Sequence, residues 1–198
     1  MTKDGLLKSI AETGYNVGFG AKKHFATYDI VEKAPGWIGF VSLAVGVLSL
    51  VFEPLSAKLP SACLTIAGVM ALYIAFYDRD KGAYEQAGKE MTQLFNQLRD
   101  LYRHVQGGGD IAAAAMTLSA VEGQFYSLAI SKQILFSDWF AHYKFFAQHQ
   151  IEWIDEQKHF TWRDKVPLTL RLAIVVALAV AGATAFAGVA AVKHLYRS

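Results

Sequence analysis

The residues best placed for chemistry are Glu152, Asp155, Glu156 and His159, whose spacing sets all four on one face of a helix. Carboxylates and an imidazole so arranged could hold a metal, and Glu156-x-x-His159 matches half of the paired motif by which helical bundles bind two iron ions. The match stops there. A working site needs a second Glu-x-x-His pair, and no other Glu stands three residues before a His. A solvated charged face is the plainer reading. His24, His104, His142, His149 and His194 fall at no ligand spacing, and Cys63 is the single cysteine, so neither a disulfide framework nor a thiolate zinc site can form. Ser42, Ser49, Ser61, Ser119 and Ser127 lack a Gly-x-Ser-x-Gly context, and there is no phosphate loop or dinucleotide fingerprint. The sequence therefore predicts no enzyme: no catalytic residue, no metal ligand and no cofactor.

Two other groups could contact a partner. Gly39, Ser42, Gly46 and Ser49 recur at intervals of three, four and three, which gathers the small residues of one apolar segment on a single stripe. Such a stripe either lines a conduit or an interface between copies, with Thr65 and Gly68 joining it, or lets two helices of one hairpin pack closely. Lys22, Lys23 and His24, near the interface, could meet an anionic ligand or lipid headgroups; solvated interfacial charge is the alternative.

The elements that must position these residues follow from the distribution of apolar ones. Of 198 residues 54% are hydrophobic and the mean hydropathy is +0.25, high for a soluble domain. The excess lies in three blocks, Trp37 to Phe52, Ser61 to Tyr77 and Leu168 to Val192, with Arg171 the one charge among them. About 20 apolar residues cross the hydrocarbon core, with roughly 17 as the lower limit. The third block meets this easily. The first two are short, but Trp37 and Tyr77 stand at their outer ends, where interfacial aromatics belong.

Lys3, Asp4, Lys8 and Glu12 interrupt the place where the apolar core of a signal peptide would lie, so the first span should itself direct insertion. Lys3, Lys8, Lys22, Lys23 and Lys33 precede that span, whereas the turn from Glu53 to Pro60 carries only Lys58; the N-terminus is expected in the cytoplasm. A third span would put the C-terminus outside, against the preference of Lys193 and Arg197. The net charge of +2 and pI near 8.6 come without any dense basic run, and no direct nucleic-acid binding is expected. No carboxylate lies at mid-membrane, which argues against a proton-coupled pump.

The expected fold class is all-α, an integral membrane protein in four parts. Residues 1–36 form an amphipathic helix through Leu7, Ile10, Gly14, Val17, Ala21, Phe25 and Tyr28, weakened by Gly14, Gly18 and Gly20, leaning on a membrane or partner and ended by Pro35 and Gly36. Residues 37–77 form a two-span hairpin. Residues 78–166 form a cytoplasmic antiparallel hairpin. Its first arm carries the heptad seam Tyr84, Ala87, Met91, Leu94, Leu98, Leu101 and Val105, with Glu85, Lys89, Glu90, Arg99, Asp100 and Arg103 opposite. Gly107 to Gly109 make the hinge, Asp110 caps the second arm, and Ile111, Ala114, Leu118, Val121, Phe125 and Leu128 make a second stripe that could close on the first. Rings at 136–162 suit either the headgroup layer or packing against the first arm and the N-terminal helix. Residues 167–198 form a third span, with Ala177, Ala181, Ala185 and Gly188 on a small face, and a short tail.

The segment GYNVGFGAKKHFATYDIVEKAPGW before the first span, the tight two-span hairpin, and FYDRDKGAYEQAGKEMTQLFNQLRDLY after the second resemble the SLATT family, over roughly the first hundred residues. SLATT proteins are two-span membrane effectors found with nucleotide-second-messenger synthases and nucleotide-sensing domains in bacterial conflict systems. The third span departs from that plan. The resemblance implies an inner-membrane effector of anti-phage defence by abortive infection. It would form homo-oligomers among membrane lipids, opening a pore or disrupting the membrane when a nucleotide second messenger or a nucleotide-synthase or sensor protein acts. A membrane-anchored adaptor whose cytoplasmic hairpin docks a partner is the alternative.

Overall fold

A computed structural model describes the backbone of residues 2–148 and 151–195, with side chains as far as Thr184. Every regular element among the described residues is helical. They fall into two compact units, Met1–His159 and Phe160–Ser198.

The first unit is organised around a single helix, α1 (Lys3–Leu48), of 46 residues. Thr2 caps it, its side chain accepting from the Gly5 N–H at 3.2 Å. Pro35 and Gly36 do not end it, contrary to the sequence expectation, and the boundary at residue 36 falls inside one continuous helix. Proline removes one i→i−4 bond and disfavours the helical region for its predecessor. Here both penalties are absorbed, because flanking turns on each side hold the helix.

The N-terminal two-thirds of α1 is the core of the unit. Leu6, Ile10, Ala11, Val17 and Ala26 are wholly buried. The helix leans on the protein's own α3 (Lys81–Gln106), α5 (Ser137–Gln148) and α6 (Glu152–Lys158). The glycines explain how. A methyl group at Gly14 would overlap the Trp153 indole, one at Gly18 would come within 2.7 Å of Phe95, and one at Gly20 within 3.0 Å of Phe125. They are seats for rings, and the helix-propensity loss is repaid by close approach.

α3 runs antiparallel to α1. Lys3 Nζ donates to the Gln106 carbonyl at 2.8 Å at the distal end, and Lys81 pairs with Glu32 at 2.8 Å at the other. Of its heptad seam, Tyr84, Ala87, Met91, Leu94, Leu98 and Val105 are buried, joined by Gly88, Phe95 and Tyr102. That seam closes chiefly on α1 rather than on α4 (Ile111–Leu128), which packs more lightly on both. The chain reverses at Gly107 to Gly109, with Gly108 at φ 94°, a region where L side chains are strained. Asp110 then caps α4 by accepting from Ala112 N–H at 2.8 Å.

Among the aromatic residues of 136–162, Phe145 and Trp153 are buried against α1 and α3, so packing rather than the headgroup layer accounts for them. Trp162, which lies in the second unit, is 67% exposed. Before α5 the chain runs outside any helix from Ala129 to Ile134 and turns at Leu135 and Phe136, a strap with no periodic sequence signal.

α1 and α2 (Lys58–Ala75) are the two helices among the described residues long and apolar enough to cross a membrane. A turn from Glu53 to Ser56 joins them. Phe40, Leu43, Ile66, Val69 and Leu72 project from them unburied, as lipid-facing residues do. The second unit contains α7 (Leu168–Leu195), a helix of 28 residues that is apolar through its described side chains, Leu168–Thr184. Ala185, Gly188, Lys193 and Arg197, on which its small face and the orientation of the C-terminus depend, lie outside the residues whose side chains are described.

Candidate functional site

The strap at residues 129–136 lies where the body meets the spans, and three elements hold it. From α1, His24 accepts the Ile130 N–H through Nε2 at 3.1 Å, while its Nδ1 donates to the Gly20 carbonyl at 2.7 Å. These bonds fix the neutral Nδ1–H tautomer. Burial pushes the imidazole below its ordinary pKa; the hydrogen bond to the Gly20 carbonyl opposes this, and the nearby Lys23 adds a lesser downward push. Three residues on, Thr27 is completely buried and donates to Gln133 Oε1 at 2.5 Å, while the Gln133 amide donates to the Ile130 carbonyl at 2.7 Å.

From the start of α3, the Tyr84 hydroxyl donates to the Lys132 carbonyl at 2.5 Å. At the end of α2, Tyr77 donates to the Gln133 carbonyl and Tyr73 accepts the Leu135 N–H, both at 3.3 Å. Lys132 lies 4.6 Å over the Tyr77 ring. Backbone groups that a helix or sheet would have satisfied are thus taken up by side chains of residues that leave or approach the membrane. The strap ends at Phe136, at φ 68°, in the left-handed region, a conformation rare for a bulky residue.

Next to Thr27 along α1 is an ion cluster. Asp29 receives hydrogen bonds from both Lys144 and Lys33, the latter at 2.6 Å. Burial raises the Asp29 carboxyl, but the two ammonium groups outweigh it and the net shift is downward.

Lys22, Lys23 and His24 do not converge on a common ligand. His24 is buried with both ring nitrogens engaged, and Lys23 pairs with Asp138 at 2.8 Å. Lys22 is half-buried, and burial followed by the charge of Lys144 depresses its pKa. Among the described residues no carboxylate pairs with it.

The small stripe stands differently. A Cβ added at Gly39 or Gly46 would meet nothing within 4 Å, and the same is true of Gly68 on α2. Ser42 is half-buried, and Ser49 donates to the Gly46 carbonyl at 2.7 Å. The glycines are therefore not the packing face of the hairpin. The residues that join α1 to α2 near the body are Val31, Ile38, Tyr73 and Ile74.

The acidic group at 152–159 does not form one face either. α6 ends at Lys158, and His159 takes a left-handed φ of 49°. The Glu156 carboxylate accepts from the Tyr102 hydroxyl at 2.9 Å, tying α6 to α3.

This geometry couples parts of one chain. The strap was invisible to periodicity, and the one signal that could have found it was the cluster of tyrosines, Tyr73, Tyr77 and Tyr84, between the end of α2 and the start of α3. A family model described as SMODS and SLOG-associating 2TM effector domain 6 matches residues 1–174. No curated protein and no solved structure matches the chain.

Proposed function

Because this chain belongs to the SMODS and SLOG-associating two-transmembrane effector family, we propose that it is an oligomeric membrane effector that breaches the bacterial inner membrane in defence against phage. The N-terminus and body would lie in the cytoplasm, and a nucleotide signal or a sensor protein would act on the body. α7 would add a third span.

One observation carries this reading: the Gly39 and Gly46 face of α1 is open, on a helix continuous with the core of the body. Small residues on a spanning helix allow another helix within close reach, and here nothing in the hairpin uses them. Other copies of the chain are the natural occupants, and α1 carries a change in the body straight into that contact.

The test is dye entry and depolarisation in bacteria within minutes of induction with the cognate trigger, for the intact protein beside Gly46→Leu. Rapid leakage in the first, lost in the second with membrane insertion unchanged, is expected. Unchanged potential and dye exclusion for the intact protein would sink the reading.

One observation favours the adaptor alternative. The outward side of α4 exposes Met116 and Tyr126, and its single charged side chain, Glu122, is taken by Thr13 at 2.8 Å. A protein-docking face has that character. Exchanging residues 39–48 and 61–69 for plain apolar spans should abolish activity in an effector and preserve it in an adaptor; the rest of α1 and the end of α2, with Tyr73 and Ile74, must stay, since they belong to the body and its strap.

A further inference from the structure

Between α1, α2 and the strap lies a cavity of about 290 Å³, walled by Ile30, Ala34 and Ile38, by Met70 and Ile74, and by the strap from Ile134. Its lining is almost entirely carbon. The polar groups around it are spoken for: the Tyr73 hydroxyl takes the Leu135 N–H, and the strap carbonyls at 132 and 133 take tyrosine hydroxyls.

Protein interiors are close-packed and leave few unfilled spaces of this size. Here the chain leading into the roof is held by four polar anchors from three parts of the fold, His24 and Thr27 of α1, Tyr77 after α2 and Tyr84 of α3, and the roof itself by Tyr73. The chain also tolerates a left-handed Phe136 at the roof's end. The cavity is built to stay open.

Its chemistry selects the occupant. Water gains nothing in an apolar cavity, and a peptide or polar metabolite would bury backbone or hydroxyl groups with no partner. At roughly 30 Å³ per water-sized or methylene-sized group, the space holds about ten such groups. It follows α1 from Ile30 to Ile38, a rise of about 12 Å at ~1.5 Å per residue. That is an elongated slot, and its Ile38 and Met70 end belongs to the spanning helices.

We propose that this slot binds one acyl chain of a membrane phospholipid. The chain would be drawn from the leaflet beside the strap and would complete the apolar core at Ile74 and Ile134. A lipid so placed touches the strap and both spans at once, and its presence sets how firmly the body is seated on the membrane.

The full chain, reconstituted in vesicles of phosphatidylethanolamine and phosphatidylglycerol carrying a diazirine in the acyl chain, tests this by irradiation and site-resolved peptide mapping. Ile134 lines the slot and is only 3% exposed, so a label there reports a chain inside the slot, whereas Leu135, also in the lining, is 54% exposed and can be labelled from outside. Label at Ile134 is expected, falling about tenfold in Ala34→Phe or Met70→Trp, a loss of ~1.4 kcal/mol in affinity. Leu72→Phe, on the outward side of α2, should leave it unchanged. An intact protein labelled at Leu135 and not at Ile134 would overturn the proposal, as would undiminished label in filled variants that melt normally.

Discussion

The imidazole of His24 and the backbone N–H of Ile130 meet at 3.1 Å across 106 positions of sequence, and the bond exists only while the ring is neutral. Protonation would put a hydrogen on Nε2 and leave two donors facing each other.

Stability should accordingly depend on pH through this ring. Its folded pKa lies below the ordinary value of about 6.5, so the unfolded chain takes up the proton first. Above about pH 6.5 the group has no effect. As pH falls from there through the depressed folded value, stability is lost, and below that value the loss is complete. Melting curves between pH 7.5 and 5.5 should show a destabilisation that His24→Gln, whose amide oxygen can accept the same N–H, largely removes.

Gly14→Ala should lower stability by about 1–3 kcal/mol, because its methyl group overlaps the Trp153 indole. Shortening the ring with Trp153→Phe should recover part of the loss when both changes are combined. A double-mutant cycle by denaturant titration measures that coupling, and strict additivity would contradict the contact.

Tyr84→Phe removes the hydroxyl that satisfies the Lys132 carbonyl and should cost about 1–3 kcal/mol. Hydrogen exchange should quicken at Ile130 and Leu135 while amides within α3, such as Leu98, stay protected. Uniform acceleration would mean that the strap is not separately held.

Asp29→Asn leaves Lys144 and Lys33 without their shared carboxylate, with Lys22 close to Lys144. Because the Asp29 carboxyl is held below its ordinary range, its contribution is present above about pH 3.9 and lost as pH falls through the folded value. At pH 7 the variant should therefore melt lower than the intact protein, and added salt should narrow the difference.

What the sequence made legible was whatever depends on local period. The seam from Tyr84 to Val105 is buried at six of its seven positions because a three-four repeat defines a helical face wherever the partner comes from. The partner itself was not legible: α1 rather than α4 receives that seam, and nothing local distinguishes the two stripes. The glycines at 14 and 18 read as weakness because their ring partners, Trp153 and Phe95, lie far along the chain. Pro35 read as a stop because the rule for proline counts the bond it removes and not the many on either side that remain. The small stripe was found from spacing alone, but only the open space beside Gly39 and Gly46 separates its two uses.

A helix unbroken from Lys3 to Leu48 is also a protractor. Each residue advances about 100° and ~1.5 Å, so the compass bearing of Gly46 is fixed by the bearing of Gly14, where Trp153 clamps the body. One alanine inserted after Gly36 would swing the glycine face by about 100° with almost no change in depth. Seven would lower it by about 10 Å yet return it to within ~20° of its first heading. Activity that is lost with one inserted residue and regained with seven would mean that the membrane half of this protein obeys angle before it obeys distance.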